Sequence, residues 1–227
     1  MSLVLLRRVF LVAPPLTLAV VLWFHPAGGS DVYEGVRADA EAWLFVHTAF
    51  LLFIPLLGIG AYLLLRGLRG RPATVSRIAL VFFLVFYTAY EVTAGLGVGI
   101  LVEYANGLPA DEQAVVAGAI QDYSRNGVLG DPLSVSLVLG VLGWMVAMIA
   151  GAVALRAAGA GRSAAALVGL AALFAVHPPP VGPVGLACFA AGAMLVERAR
   201  GRDAARWREP AYPEAAVAAA GPSNGAP

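Results

Sequence analysis

The sequence predicts an all-α membrane protein, a polytopic bundle of six transmembrane helices with both termini in the cytoplasm. The first observation is composition: the chain is 60% hydrophobic and 13% charged, whereas about 25% of the residues of a soluble domain are charged. The second is that apolar runs alternate with connections of opposite charge, and connections rich in arginine stay in the cytoplasm. The arginine-rich connections carry Arg7, Arg8, Arg66, Arg69, Arg71, Arg77, Arg156, Arg162 and a cluster from Arg198 to Arg208.

The remaining connections are mainly acidic and are predicted to lie outside. The pattern places the protein in the plasma (inner) membrane, and the use of arginine with no lysine favours a GC-rich bacterial genome. A net charge of +1 argues against a nucleic-acid partner, and the lipid bilayer is the partner that the composition predicts. The acidic residues are Asp31, Glu34, Asp39, Glu41, Glu103, Asp111, Glu112, Asp122 and Asp131.

Four apolar runs predict the first four spans, because about 20 apolar residues cross the ~30 Å hydrocarbon core. They cover residues 9–24, 43–65, 78–102 and 132–155. The first run resembles a signal peptide, but it contains Pro14 and Pro15 and ends without a small-residue cleavage site, so we expect a retained helix. These two prolines, and Pro55 in the second run, are candidates for breaking their helices. Trp23 and Trp43 are expected in an outer aromatic belt.

The next charge-free stretch, residues 163–196, predicts two short spans. One helix of this length would be about 51 Å long, too long for an ordinary bilayer. Four prolines lie in the middle of this stretch, and proline terminates helices. We therefore expect spans at 163–177 and 184–196 joined by an outer turn. The transmembrane domain is thus predicted over residues 1–197. Residues 198–227 form an arginine-rich and then Ala/Pro/Gly-rich cytoplasmic tail, expected to be disordered.

An amphipathic helix is predicted at residues 109–125, between spans three and four. Val115, Val116, Ile120 and Tyr123 share one face at helical spacing. We expect this helix to lie on the outer surface, either as a packed linker or as a lid over a site beneath it.

The polar residues within the apolar runs are the candidate functional site, since ionisable groups are costly in a bilayer. Counted from the arginine anchors at about 1.5 Å per residue, His25, His47 and His177 lie at heights of about 25, 28 and 22 Å. Glu91 lies at about 21 Å. Four residues from four helices are therefore predicted to share one layer in the outer half of the membrane.

Three imidazoles and a carboxylate suit Zn, Fe, Mn or Cu, and a single outer haem is a further cofactor hypothesis. In this interpretation His25, His47, His177 and Glu91 are metal ligands, and Glu91 is also the candidate catalytic proton acceptor of an enzyme. No motif such as His-x-x-x-His supports it. His25 and His177 also suit polar helix ends, and Glu91 also suits a hydrogen-bonded structural carboxyl beside Tyr87, Thr88 and Gly95.

Two other functions remain open at this point. The first is a proton-coupled transporter or small-ligand binder that uses Glu91. The second is an accessory subunit in which the polar groups only join helices. A small-molecule substrate and an oligomeric or membrane-complex partner fit either. The absence of lysine excludes a Schiff-base pigment, and histidines on one side only exclude a transmembrane pair of haems. Cys188 is expected to be a small core residue, and none of the common catalytic or nucleotide-binding motifs is present.

Overall fold

A computed structural model of the protein describes residues 3–26, 31–128, 130–131 and 133–202, and these residues are helical with no β-strand among them. The helices are α1 (Leu3–Leu22), α2 (Val32–Val36), α3 (Ala40–Leu64), α4 (Arg71–Asn106), α5 (Ala110–Ser124), α6 (Val135–Ala157), α7 (Arg162–Leu170) and α8 (Val181–Arg202). Short 3-10 turns precede α3 (Arg37–Asp39) and extend α7 (Ala171–Ala175). Five of the helices, α1, α3, α4, α6 and α8, are long and apolar enough to cross a membrane.

The predicted fifth span is a shorter apolar helix. It runs over Arg162–Ala175, including the 3-10 turn, and at ~1.5 Å per residue it falls short of the ~30 Å hydrocarbon core. The all-helical fold is confirmed, and five of the six predicted spans correspond to helices long and apolar enough to cross a membrane. The last of these, α8, continues to Arg202. The predicted tail beyond Arg202 lies outside the described residues.

The prolines of the first two spans do not break their helices, contrary to expectation. Helix α1 continues through Pro14 and Pro15, and α3 continues through Pro55. In a membrane, neighbouring helices and local adjustments compensate for the hydrogen bond that a proline removes. Neither α1 nor α3 is therefore a broken helix of the kind that lines the substrate path in many transporters.

Helix α4 is irregular in its middle, and this irregularity positions the polar residues. Two π-helical segments, Phe83–Tyr87 and Glu91–Gly97, flank one short α-helical turn. Helix α6 packs closely on the first segment, because a Cβ on Gly140 would lie 2.7 Å from the backbone nitrogen of Tyr87. Such π-turns are rare and occur mostly as single bulges, frequently at functional sites.

One end of the bundle, here called the arginine end, is tied together by charged side chains. The buried carboxylate of Glu197 on α8 accepts from Arg7 of α1 and from Arg200, each at 2.9 Å. Arg200 also donates to the carbonyl of Leu64 at 2.8 Å. Guanidinium groups thus satisfy the last carbonyl groups of α3, where the helix dipole favours positive charge.

The opposite end, here called the histidine end, is covered by α2 and α5. Ile120 of α5 is 1% exposed and packs in a hydrophobic cluster with Tyr33, Val36 and the C-terminal part of α4. The predicted amphipathic helix is therefore present and packs on the bundle. Val115 was wrongly placed on its apolar face, since it is 74% exposed.

Candidate metal centre

Three histidines from three separate elements meet at the histidine end. His25 follows α1, His47 lies in the second turn of α3, and His177 follows the 3-10 turn after α7. One ring nitrogen of each lies within 4.8 Å of those of the other two. Nε2 of His25 and Nε2 of His177 are 3.2 Å apart. The three histidines are therefore close enough to hold one metal ion.

Hydrogen bonds orient each imidazole through its Nδ1 atom. His25 Nδ1 contacts the carbonyl of Pro26 at 2.8 Å, and His47 Nδ1 contacts the carbonyl of Trp43 at 2.7 Å. Because a carbonyl only accepts, these two Nδ1 atoms carry the proton and each Nε2 keeps its lone pair. Nδ1 of the third imidazole lies 2.8 Å from the hydroxyl of Tyr87. Metal-binding histidines are oriented by such partners.

The state of His25 supports metal binding as well. It lies beyond the end of α1, where burial lowers the pKa of its imidazole and the hydrogen bond to Pro26 acts in the opposite direction. Burial is the larger effect, so the neutral imidazole is favoured. Neutral imidazole is the form that binds metal.

Glu91 lies beside the histidines and is 1% exposed. Its Oε2 atom is 3.6 Å from Nε2 of His47, and its Oε1 atom is 3.8 Å from Nδ1 of His177. Within the described part of the chain, Oε1 makes no hydrogen bond. The first residue of the second π-segment thus directs a carboxylate with unused acceptor capacity at the cluster.

The space for His47 is shaped by two residues. The indole of Trp43 stacks on its ring at a centroid distance of 4.4 Å, and Nε1 of Trp43 donates to the carbonyl of Gly95 at 2.8 Å. A Cβ on Gly95 would overlap Cδ2 of His47 and lie 2.7 Å from Cγ. Because Gly95 has no Cβ, it leaves the space that the imidazole of His47 occupies.

Aromatic side chains close the site on the side that faces the bundle core. The ring of Phe50 contacts those of His47 and His177 at centroid distances of 5.8 and 5.3 Å. Tyr87 and Phe174, both fully buried, continue this layer. The histidines are thus separated from the core by rings that supply no further ligand.

A cavity of about 310 Å³ reaches the cluster from the other side. His47 and His177 line it, and its wall also includes Arg125 at the end of α5 and Asp131 in the following connection. The remaining wall is formed by Val32, Trp43, Tyr90, Ala94, Gly95, Val98, Gln121, Ser124 and Gly130.

The predicted residues meet as their common height indicated, whereas several supporting residues were missed. Trp43 had been assigned to an aromatic belt, yet it stacks on His47, which lies one helical turn later. Gly95 lies one turn after Glu91, a spacing visible in the sequence, but its contact with His47 was not predicted. Comparison with protein-family models, curated proteins and solved structures found no match. The fold and the site define an all-helical protein with five helices long and apolar enough to span a membrane, and with three histidines close enough to hold a metal ion.

The arrangement fits an ion better than a haem. Two axial imidazoles of one haem lie on opposite faces of the macrocycle, and 3.2 Å between the Nε2 atoms of His25 and His177 leaves no room for a ring. The third imidazole, that of His47, packs against His25 at a centroid distance of 5.2 Å. One ring nitrogen from each of the three histidines lies close enough to the others to hold a single ion.

Proposed function

We propose that the protein binds one first-row transition-metal ion through Nε2 of His25, His47 and His177, with Glu91 as a fourth ligand or as a proton acceptor beside the metal. The observation that carries this proposal is the convergence of three imidazole nitrogens on one point beside a buried carboxylate. A hydrogen bond between two of the rings would account for one pair alone. It would leave the third imidazole and the carboxylate without a common partner.

The separations suit a shared ion. In a tetrahedral site with Zn–N bonds of about 2.05 Å, two ligand nitrogens are about 3.3 Å apart. His25 and His177 are separated by 3.2 Å, and Oε2 of Glu91 lies 3.6 Å from Nε2 of His47. The longest separation among the nitrogens, 4.8 Å, shortens to a bonding geometry when the rings move by about an ångström.

The charges support the same proposal. Neutral imidazoles leave a divalent ion with its full charge, and the carboxylate of Glu91 supplies one negative charge in return. The ion gives this buried carboxylate the counter-charge that a bilayer demands. Three nitrogens and one oxygen suit Zn, Fe, Mn or Cu, as expected from the sequence.

The cavity favours a catalytic over a purely structural metal site. Structural zinc sites are closed by four protein ligands, whereas catalytic sites leave a position for water or substrate. Here His47 and His177 line a cavity next to the proposed ion. A bound ion would supply Lewis-acid activation of water, and Glu91, whose Oε2 lies 3.6 Å from Nε2 of His47, would be placed to accept a proton there. An enzyme with a small-molecule substrate is the function that this arrangement supports best.

The site is proposed to open to the outer face of the plasma (inner) membrane. The arginine end carries Arg7, Arg77 and Arg200, and positive loops remain cytoplasmic, so both termini are proposed to be inside. This orientation requires an even number of crossings. We therefore propose that α7 and its 3-10 turn form the sixth crossing. A short hydrophobic helix is accommodated by local thinning of the bilayer or by flanking side chains that reach the interface.

Metal analysis of the purified protein tests the proposed function. We expect about one metal ion per chain, and we expect His47→Ala to lose most of it. Cys188→Ala removes the one thiol of the chain and should keep the metal, which controls for binding to sulfur. A protein that folds, holds no metal and takes none up would contradict the proposal. The polar residues would then join helices in an accessory subunit, or Glu91 would serve as the proton-coupling carboxyl of a transporter.

A further inference from the structure

We infer that the cavity beside the metal centre binds a small monocarboxylate with a short apolar chain, held by the charges of the metal and Arg125. The inference rests on the proposed metal function and names the class of ligand for that site. It follows from the size, the wall and the net charge of the cavity.

The size of the cavity limits the ligand to a small molecule. A volume of about 310 Å³ equals that of about ten water molecules at ~30 Å³ each. It lies at the lower end of the range for small-molecule sites, roughly 300–1,000 Å³. A phospholipid or a folded peptide segment does not fit, whereas an organic acid of a few carbon atoms does.

The wall of the cavity is mixed, with apolar side chains beside polar ones. Val32, Trp43, Ala94 and Val98 supply apolar surface, while the charged side chains are Arg125 and Asp131. An inorganic anion would leave the apolar surface unused. A carboxylate with an alkyl chain matches both parts of the wall.

The charges favour a single negative charge on the ligand. The proposed divalent ion and Glu91 together leave one positive charge, and Arg125 and Asp131 cancel each other, so the loaded cavity keeps one positive charge. The carboxylate of Asp131 already accepts from the backbone nitrogen of Leu133 at 2.7 Å. Arg125 makes no salt bridge within the described residues. Its guanidinium is therefore the cation available to a ligand.

The cavity is held in shape before a ligand enters. The side chain of Gln121 on α5 accepts from the backbone nitrogen of Val32 at 2.9 Å, which joins α5 to α2. Tyr123 donates from its hydroxyl to the carbonyl of Thr93 at 3.3 Å, which joins α5 to α4. A site that is already formed loses little conformational entropy when it binds.

Titration of the cobalt(II)-loaded protein with formate, acetate, butyrate and hexanoate tests the inference through the visible absorption of the metal. We expect a carboxylate to shift the cobalt bands. Its affinity should rise by up to about fourfold per methylene as the chain covers the apolar wall, until the chain exceeds the cavity. Metal content measured beforehand separates loading from carboxylate binding.

Three charge variants make the test specific. Arg125→Gln should weaken butyrate binding by about tenfold at low salt, because a charge-assisted hydrogen bond is lost. Asp131→Asn should strengthen it, because a repelling charge is removed. Arg37→Gln is the matched control: this exposed arginine at the same end pairs with Glu34 at 2.9 Å and does not line the cavity. It should leave the affinity unchanged.

The outcomes separate this inference from the metal proposal. Cobalt uptake with no spectral response to carboxylates overturns the inference and leaves the metal centre intact. The inference is also overturned if Arg125→Gln binds butyrate as the wild type does. An affinity that does not change from formate to hexanoate overturns it as well, since it indicates that the anions bind only to the metal. A folded protein that takes up no cobalt overturns the metal proposal, and the monocarboxylate site with it.

Discussion

Replacing Gly95 by alanine tests whether the space left by this glycine holds His47 in its ligating position. A Cβ at this position would overlap Cδ2 of the imidazole and lie 2.7 Å from Cγ and 3.0 Å from Nε2. A small shift of the imidazole cannot relieve this overlap, because the indole of Trp43 stacks on the ring at a centroid distance of 4.4 Å and the carbonyl of Trp43 accepts a hydrogen bond from its Nδ1. The alanine must therefore displace His47 from the cluster.

The size of the effect follows from the required displacement. Ordinary contact with a Cβ begins near 3.4 Å, so the nearest ring atom of His47 must move by more than an ångström. Metal–ligand distances tolerate only about ±0.2 Å. Loss of the groups that position a ligand typically costs 10- to 100-fold in metal affinity. We expect Gly95→Ala to weaken metal binding by at least about tenfold.

The assay is competition with a chromophoric chelator in detergent, with folding checked by size-exclusion chromatography. Gly118→Ala is the matched control, since Gly118 lies on α5 and a Cβ there meets nothing within 4 Å. A second comparison uses the His47→Ala background, where the clash no longer exists and Gly95→Ala should have no further effect on metal affinity. This double-variant cycle isolates the contact between the two residues.

The reasoning is refuted if Gly95→Ala folds and binds metal with the affinity of the Gly118→Ala control. It is also refuted if Gly95→Ala lowers the affinity equally with and without the imidazole of His47, because the effect would then arise elsewhere in α4. Should Gly95→Ala alone fail to fold, restored folding in the double variant would still identify the clash, and continued misfolding would contradict it.

Four further predictions concern other residues of the site, the arginine end and the orientation in the membrane. Glu91→Gln, which keeps the shape and removes the charge, should lower metal affinity by about tenfold or more in the same competition assay; unchanged affinity would exclude Glu91 as a ligand. Tyr87→Phe should lower it by about tenfold through the lost hydroxyl partner of an imidazole, while a matching loss of thermal stability with no loss of affinity would indicate a packing role. Glu197→Ala should cost about 3 kcal/mol of stability, since it removes the buried carboxylate that pairs with Arg7 and Arg200, without altering metal content; a metal-poor but stable protein would contradict this. Reporter fusions at Gly159 should indicate the cytoplasm and fusions at Gly107 the exterior, and the reverse pattern would overturn the proposed orientation.

Some of the architecture could be predicted because it follows from local composition. Five of the predicted apolar runs correspond to the five long helices, whose ends lie up to seven residues from the predicted ones. The prolines were less informative. Pro14, Pro15 and Pro55 lie inside continuous helices, whereas the cluster at Pro178–Pro180 does separate two helices. The difference depends on neighbouring helices, which the sequence does not show.

The layer of the candidate site could be predicted, but its supporting residues could not. Height along a helix is a count of residues, so His25, His47, His177 and Glu91 could be assigned to one level. The stacking of Trp43 on His47 could not, because a tryptophan near a helix end suits an aromatic belt equally well. The two π-segments of α4 also left no recognised signal, although they set the direction in which Tyr87 and Glu91 point.

The sequence by itself determined the membrane class, the helical segments, the distribution of charge between the two ends and the common level of four polar residues. Each of these follows from hydrophobic length and from charge, which are properties of the chain alone. The tertiary structure decided which residues share that level as neighbours. Lateral position depends on how helices pack, and here the glycine contacts between α4 and α6, the π-turns of α4 and the space at Gly95 bring the imidazoles and the carboxylate together.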